Sequence, residues 1–190
     1  MNLLEKTRHL LRLCKVSPKK RLGQNFVVDS ALLQRLLSYS SVESEDVVLE
    51  VGAGFGFLTR LLAEKCKKVI AVEVDRNLIR VLETQLNDLE NLELIEGDIL
   101  DVSVPPFNKV VSVPPYSISS PMLFWLLERK FDCAVLTFQK EFAERLAASV
   151  GSKDYGRLTV TTYYFVDTEL LERVPRKMFH PPPKVDSIVV

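Results

Sequence analysis

Apolar positions in this chain follow two alternating rhythms. Near-continuous runs at 47–51, 69–74, 92–96, 108–113 and 132–138 have the length and β-branched content of buried strands. Between them, apolar residues recur at helical spacing over about 57–65, 76–88, 119–129 and 139–149. This alternation predicts a mostly parallel, doubly wound α/β sheet with helices on both faces. Beyond Gly156 the rhythm changes. The stretches 158–166 (LTVTTYYFV) and 184–190 (KVDSIVV) are rich in β-branched and aromatic residues and predict a C-terminal antiparallel hairpin at the sheet edge. Pro175 and Pro181-Pro182-Pro183 stiffen the connection between them, above the strand ends.

The first of those strands runs into Glu50, then Gly52-Ala53-Gly54-Phe55-Gly56, then a new helical pattern. Glycine lets backbone press against a ligand and adopt positive φ cheaply. A helix N-terminus then faces the same crevice. Strand, glycine loop and helix together predict a nucleotide site, although the spacing is GxGxG and not the GxGxxG of dinucleotide folds.

Open α/β sheets bind ligands outside the carboxyl ends of their strands. Glu73 ends the second strand, 23 residues beyond Glu50, where a carboxylate can accept both hydroxyls of a ribose. Asp98 ends the third, where it can accept an exocyclic amine of adenine. The fourth ends in Ser112-Val113-Pro114-Pro115-Tyr116, a stiff backbone beside an aromatic ring. Each residue has a bland alternative. Glu50 can simply favour the following helix, and Glu73, Asp98 and Tyr116 can be ordinary strand-end or core residues. Four such groups in this order specify a ligand with an adenosine and a charged, non-phosphate part.

Composition narrows the class. The 190 residues, 47% apolar and 26% charged, are those of a globular domain. No run approaches the roughly 18 apolar residues of a membrane span, and the N-terminus lacks a secretory signal. Cys14, Cys66 and Cys133 are scattered, which predicts neither a disulfide framework nor a metal site and fits a reducing cytoplasm, with the thiols as small buried apolar groups. Net charge is zero, yet residues 1–21 carry Lys6, Arg8, Arg12, Lys15, Lys19, Lys20 and Arg21 against Glu5 alone. A basic arm over 1–21 on a domain of 22–190 hints at nucleic acid; the plainer reading is a solvated helix.

The chain resembles class I S-adenosylmethionine-dependent methyltransferases, specifically the KsgA-type rRNA adenine dimethyltransferases, with the Erm enzymes as relatives. The carriers are LGQNF (22–26), LEVGAGFGFLT (49–59), AVEVD (71–75), EGDIL (96–100), PPYSISSP (114–121), TFQKEFAERL (137–146), DYGRLTV (154–160) and FHPPPKVDS (179–187). The resemblance implies a Rossmann-like sheet, S-adenosylmethionine as cofactor, and dimethylation of adenines in small-subunit rRNA by a monomer. Gln24 and Asn25 would close over the methionine part and Gly52, Gly54 and Gly56 would pass the backbone against it. Glu73 would hold the ribose and Asp98 the adenine amine, with Glu50, Val74, Ile99 and Ser112 completing the cofactor site. Pro114 and Tyr116 would receive the target adenine and Phe179 cover its other face. Lys19, Lys20, Arg21, Lys140, Arg145 and Lys153 would lie near RNA phosphates.

Two departures qualify that implication. The family carries Asn-Leu-Pro-Tyr after the fourth strand; here the asparagine is Val113, which accepts nothing. Losing one such polar partner costs about 2.7–4 kcal/mol of transition-state stabilisation. The family's small helical C-terminal domain is also expected to be missing. The readings open at this point are an adenine dimethyltransferase of small-subunit RNA, an Erm-like large-subunit enzyme, and an RNA-binding assembly factor on a methyltransferase fold. A nicotinamide dehydrogenase is disfavoured by the loop spacing.

Overall fold

The computed structural model describes residues 2–190. Seven helices and nine strands follow in chain order: α1 (Leu3–Leu13), β1 (Phe26–Val27), α2 (Ser30–Ser40), β2 (Val47–Val51), α3 (Phe57–Ala63), β3 (Lys68–Glu73), α4 (Arg76–Gln85), β4 (Leu92–Glu96), β5 (Lys109–Ser112), α5 (Ser119–Leu127), β6 (Cys133–Gln139), α6 (Lys140–Leu146), α7 (Arg157–Phe165), β7 (Glu172–Val174), β8 (Phe179–His180) and β9 (Ser187–Val189). The main sheet has the order β4-β3-β2-β5-β6-β9-β7. Its first five strands are parallel, and β9 runs antiparallel to both β6 and β7.

Side chains alternate across the sheet as a period of two requires. Val48, Val69, Ala71, Val111 and Val135 pack against α2 and α3 on one face. Leu49, Ile70, Val110, Leu136 and Phe138 pack against α5, α6 and α7 on the other. The expected architecture, a mostly parallel sheet between helical layers with an antiparallel C-terminal rim, is what the chain adopts.

The rim differs from expectation in one respect. Residues 158–166 are not a strand: α7 occupies Arg157–Phe165, and the partner of β9 is the three-residue β7. The cause lies in tertiary packing. Leu158, Thr159 and Thr162 share one helical face and are buried. The Thr162 hydroxyl returns to the Leu158 carbonyl at 2.9 Å and that of Thr159 donates to the Arg145 carbonyl at 2.6 Å. The β-branched side chains thus find partners that a strand at this point would deny them.

At the N-terminus, Asn2 and Glu5 close a capping box on α1. Leu10 and Val16 then bury themselves against Phe26, Phe55, Leu78 and Val81, so the basic segment lies on the domain surface. A second small sheet pairs β1 with β8, tying the LGQNF segment to the FHPPP segment. All three cysteines are free; Cys66 is buried and Cys133 half-buried, but Cys14 is exposed, contrary to the expectation that all three are interior. Among the described residues, no helix is long and apolar enough to cross a membrane.

Candidate active site

The carboxyl ends of β2, β3, β4 and β5 open into one crevice with two adjoining lobes. One lobe, about 770 Å³ counting its open mouth, is lined by Gln24, Asn25, Glu50, Gly52, Gly54, Glu73, Val74, Val113, Pro114 and Tyr116, among others. The second lobe is lined by Asp98 and Ile99 and shares Gly52, Glu73, Val74 and Pro115 with the first. Glu73 therefore stands where the two lobes meet.

Hydrogen bonds fix that carboxylate. It is 5% exposed; the Gly54 N–H donates to one oxygen at 3.0 Å and the Asp75 N–H to the other at 2.9 Å. A carboxylate offers about four acceptor positions, so two remain for ligand hydroxyls. Burial pushes its titration upward, against the pull of those backbone donors. Gly52 and Gly54 both hold positive φ, +80° and +60°. A Cβ on Gly54 would stand 3.2 Å from the Phe26 ring and one on Gly52 3.0 Å from Pro115, so side chains here would collide with the crevice walls.

Glu50 lies deeper, 2% exposed, and receives the Thr59 hydroxyl at 2.6 Å. Burial, reinforced by the neighbouring Glu73 charge, pushes its carboxyl up to about 8 against that hydrogen bond. Sequence reasoning missed Thr59, although its place in the first turn of the helix after the glycine loop was visible. It also missed Asp75, the N-cap of α4. The buried Asp75 carboxylate accepts from Lys19 Nζ at 2.7 Å and from Gln24 Nε2 at 2.9 Å. Burial raises the Asp75 pKa, but these donors outweigh it and the net shift is downward. Gln24 is thus turned to Asp75 and to the Lys19 N–H, at 2.8 Å, while still lining the crevice. Asn25 Nδ2 bonds the Gly23 carbonyl at 2.9 Å. Asp98 uses one oxygen to accept the Leu100 N–H at 3.0 Å.

On the target side, Tyr116 is half-buried, its hydroxyl sharing a 2.5 Å hydrogen bond with Ser187. Burial raises that phenol to about 12, so it remains protonated at neutral pH. The Phe179 ring meets Tyr116 edge-on, centroids 6.3 Å apart.

Three expected site residues do not line the crevice. Phe179 is 3% exposed and belongs to the core beneath Tyr116. Ser112 is fully buried and its hydroxyl staples β5 to β2 through the Val51 carbonyl at 2.6 Å. Gly56 faces α4, where a Cβ would stand 2.8 Å from Leu86 and 2.9 Å from Leu82; its glycine serves packing. The expected RNA contacts are dispersed. Lys19 is ion-paired to Asp75 and Lys140 lies 3.6 Å from Glu144. Arg21 borders the second lobe, Lys20 shares its turn, and Arg145 and Lys153 are exposed on α6 and the loop after it.

The donor set fits an adenosine-bearing cation. Two buried carboxyls, no basic side chain lining either lobe except Arg21 at the rim, and a second lobe lined by Asp98, which keeps one oxygen unused, all match S-adenosylmethionine. The description ribosomal RNA adenine dimethylase matches residues 16–190. The probable ribosomal RNA small subunit methyltransferase A of Methanopyrus kandleri is 48% identical over 92% of this chain and 63% of its own. That of Methanosarcina acetivorans is 49% identical over 88% of this chain and 62% of its own. The chain thus spans somewhat less than two thirds of these relatives. Among solved structures, a dimethyladenosine transferase from Plasmodium falciparum superposes with a TM-score of 0.82 at 40% identity, over 86% of this chain and 61% of that one. The 23S rRNA methyltransferase ErmE superposes at 0.78 and 34% identity, over 87% and 68%. On these grounds the chain belongs to the ribosomal RNA adenine dimethylase family.

Proposed function

We propose that this protein transfers methyl groups from S-adenosylmethionine to the exocyclic amine of adenine in small-subunit ribosomal RNA, twice per base. The carrying observation is that Glu73, with two acceptor positions unused, and Pro114-Pro115-Tyr116 border one crevice. Such a crevice holds a nucleoside by its ribose beside a stiff backbone turn able to receive a base. Family membership and the small-subunit names of the archaeal relatives support the choice of substrate.

The cofactor, when bound, would supply an electrophilic methyl on a sulfonium: the amine nitrogen would take the methyl in line, the sulfur leaving as the neutral thioether of S-adenosylhomocysteine and the amine proton passing to solvent. The chain's own work is positional. Glu73 and Asp98 would hold the nucleoside, and the glycine loop lets backbone approach it. Pro114 would offer its carbonyl to the target amine, and Tyr116 an aromatic face for a base taken out of its stack. Alignment of the reacting atoms supplies the rate. The reading puts the protein in the cytoplasm with its RNA, as a monomer.

Incubation with labelled S-adenosylmethionine and unmethylated small subunits, followed by nucleoside mass analysis, tests this. Dimethyladenosine is the expected product; no methylated adenosine in that RNA, with cofactor bound, would overturn it. Val113 favours a second reading, an RNA-binding assembly factor of low activity, since no amide acceptor stands at that position.

A further inference from the structure

The segment from Lys19 to Val27 borders both lobes of the crevice. Leu22 lines the two of them, whereas Gln24 lines the first lobe only. Gly23 turns the segment at φ +64°, so close to Ser117 that a Cβ would stand 3.1 Å from its hydroxyl. One residue outside the crevice walls holds this segment in place. Asp75 lines neither lobe, and its side chain is wholly buried.

Asp75 is bonded in two directions. Its N–H donates to the Glu73 carboxylate at 2.9 Å, and its own carboxylate accepts from Gln24 Nε2 at 2.9 Å. The same carboxylate takes the Lys19 ammonium at 2.7 Å and, as N-cap of α4, the Asn77 N–H at 3.1 Å. Lys19 acts twice, because its main-chain N–H donates to Gln24 Oε1 at 2.8 Å. A side-chain amide has two N–H donors and an oxygen with two lone pairs. Both ends of the Gln24 amide are therefore anchored, and one donor and one acceptor position remain for a ligand.

We propose that Lys19 and Asp75 are positioning residues for the cofactor: their ion pair holds the Gln24 amide at the wall of the first lobe, and Asp75 sets its separation from Glu73. That separation matters because the ligand is one covalent chain. Its nucleoside belongs at Glu73 and Asp98, so its amino-acid part falls in the first lobe, which Gln24 lines and Asp98 does not. A ligand that touches both ends gains when neither group has to be ordered on binding. Charge strengthens the arrangement, since hydrogen bonds to an ionised group are roughly twice as strong as neutral ones. Lys19 thus works inside the domain, through Asp75 and Gln24, and not on an RNA phosphate. The inference rests on the reading of the crevice as the cofactor site and assigns to it two residues beyond its walls.

Calorimetric titration without RNA tests this, using S-adenosylhomocysteine and methylthioadenosine, which keeps the nucleoside and lacks the amino-acid part. Lys19→Met and Asp75→Asn should each weaken S-adenosylhomocysteine about 10-fold or more, the loss expected when a hydrogen bond to a charged group goes. Asparagine keeps the helix cap. Affinity for methylthioadenosine should change less than about 2-fold, because the Asp75 N–H still holds Glu73. In a Gln24→Ala background the same substitutions should cost S-adenosylhomocysteine almost nothing further, since the group they position is gone. A general loosening of the fold would weaken both ligands alike and add to the Gln24 loss; either result overturns the proposal. So does unchanged S-adenosylhomocysteine affinity in Lys19→Met, which would return Lys19 to an RNA-facing role. If the parent binds neither ligand, the reading of the crevice falls and the proposal falls with it; if the parent binds both and the variants match it, only the proposal falls.

Discussion

The two ends of the crevice are built by opposite means. The cofactor end is polar and its carboxylates are already bonded: Glu73 to two backbone donors, Asp75 to Lys19 and Gln24, Glu50 to Thr59. The target end is apolar and has few polar partners. Val113 accepts nothing, Phe179 lies in the core, and the Tyr116 hydroxyl has a single partner, Ser187. The contrast teaches where folding energy has been invested. The cofactor end is organised before its ligand arrives, so binding there costs little reordering. The target end, as proposed above, would offer a base one face of Tyr116, since Phe179 lies in the core behind that ring.

The largest way to break this contrast is Gly54→Val. A β-branched residue at φ +60°, with Cβ 3.2 Å from Phe26, should abolish S-adenosylhomocysteine binding in calorimetry while circular dichroism still reports the sheet. Retained affinity would mean that the loop does not touch the cofactor. Next comes Val113→Asn, which places an amide acceptor at the apolar end. Single-turnover methyl transfer should rise, by up to about 10²–10³-fold, with cofactor affinity unchanged. A flat rate would show that the missing amide does not limit the target end.

Glu50→Gln sharpens the comparison through pH. An unfolded glutamate titrates near about 4.3, whereas burial holds Glu50 up at about 8. The folded protein therefore carries the extra proton across that window, and unfolding free energy falls as pH rises through it. Glutamine fixes the neutral form. Thermal melts should show the variant gaining on the parent between pH 5 and pH 8, and an equal pH dependence would contradict the assignment. The smallest effect belongs to Thr137, whose buried hydroxyl has no partner. Thr137→Val should stabilise by about 1 kcal/mol. Val111 and Val135 are register partners on one face of the sheet, and residues 113 and 137 lie two positions further along. In the Val113→Asn background the hydroxyl gains a polar neighbour, so the stabilisation should shrink; a double-mutant cycle reads the difference.

The parallel half of the molecule was legible because its information is local. Runs such as VVLEV and KVIAVE declare buried strands, and a carboxylate closing such a strand falls at the sheet's carboxyl edge wherever the helices go. Glu73, Asp98 and the glycine loop were readable for that reason. The rim was not. RLTVTTYYF has strand-like composition, but its helix is selected by burial against α6 and by threonine hydroxyls returning to carbonyls, both long-range facts. Three residues of mixed character, Glu172–Val174, are too few to announce a strand. The misplaced site residues share a different cause. Ser112, Gly56 and Phe179 were located in the right segments, yet whether a side chain reaches the cavity or stops in the core depends on depth. Lys19 shows the same limit for charge: its partner Asp75 lies 56 residues away, and no charge count along the chain reveals the pairing.

The two-stranded sheet of β1 and β8 carries a mechanical corollary. Phe26 sits opposite His180 and Val27 opposite Phe179, with the Val28 N–H bonded to the Met178 carbonyl at 2.8 Å. The segment that follows Gln24 and Asn25 and the segment that carries Phe179 are therefore tied together by backbone pairing. A displacement of either segment is therefore passed to the other through the ladder, so a substitution at Phe26 should also be felt at Phe179.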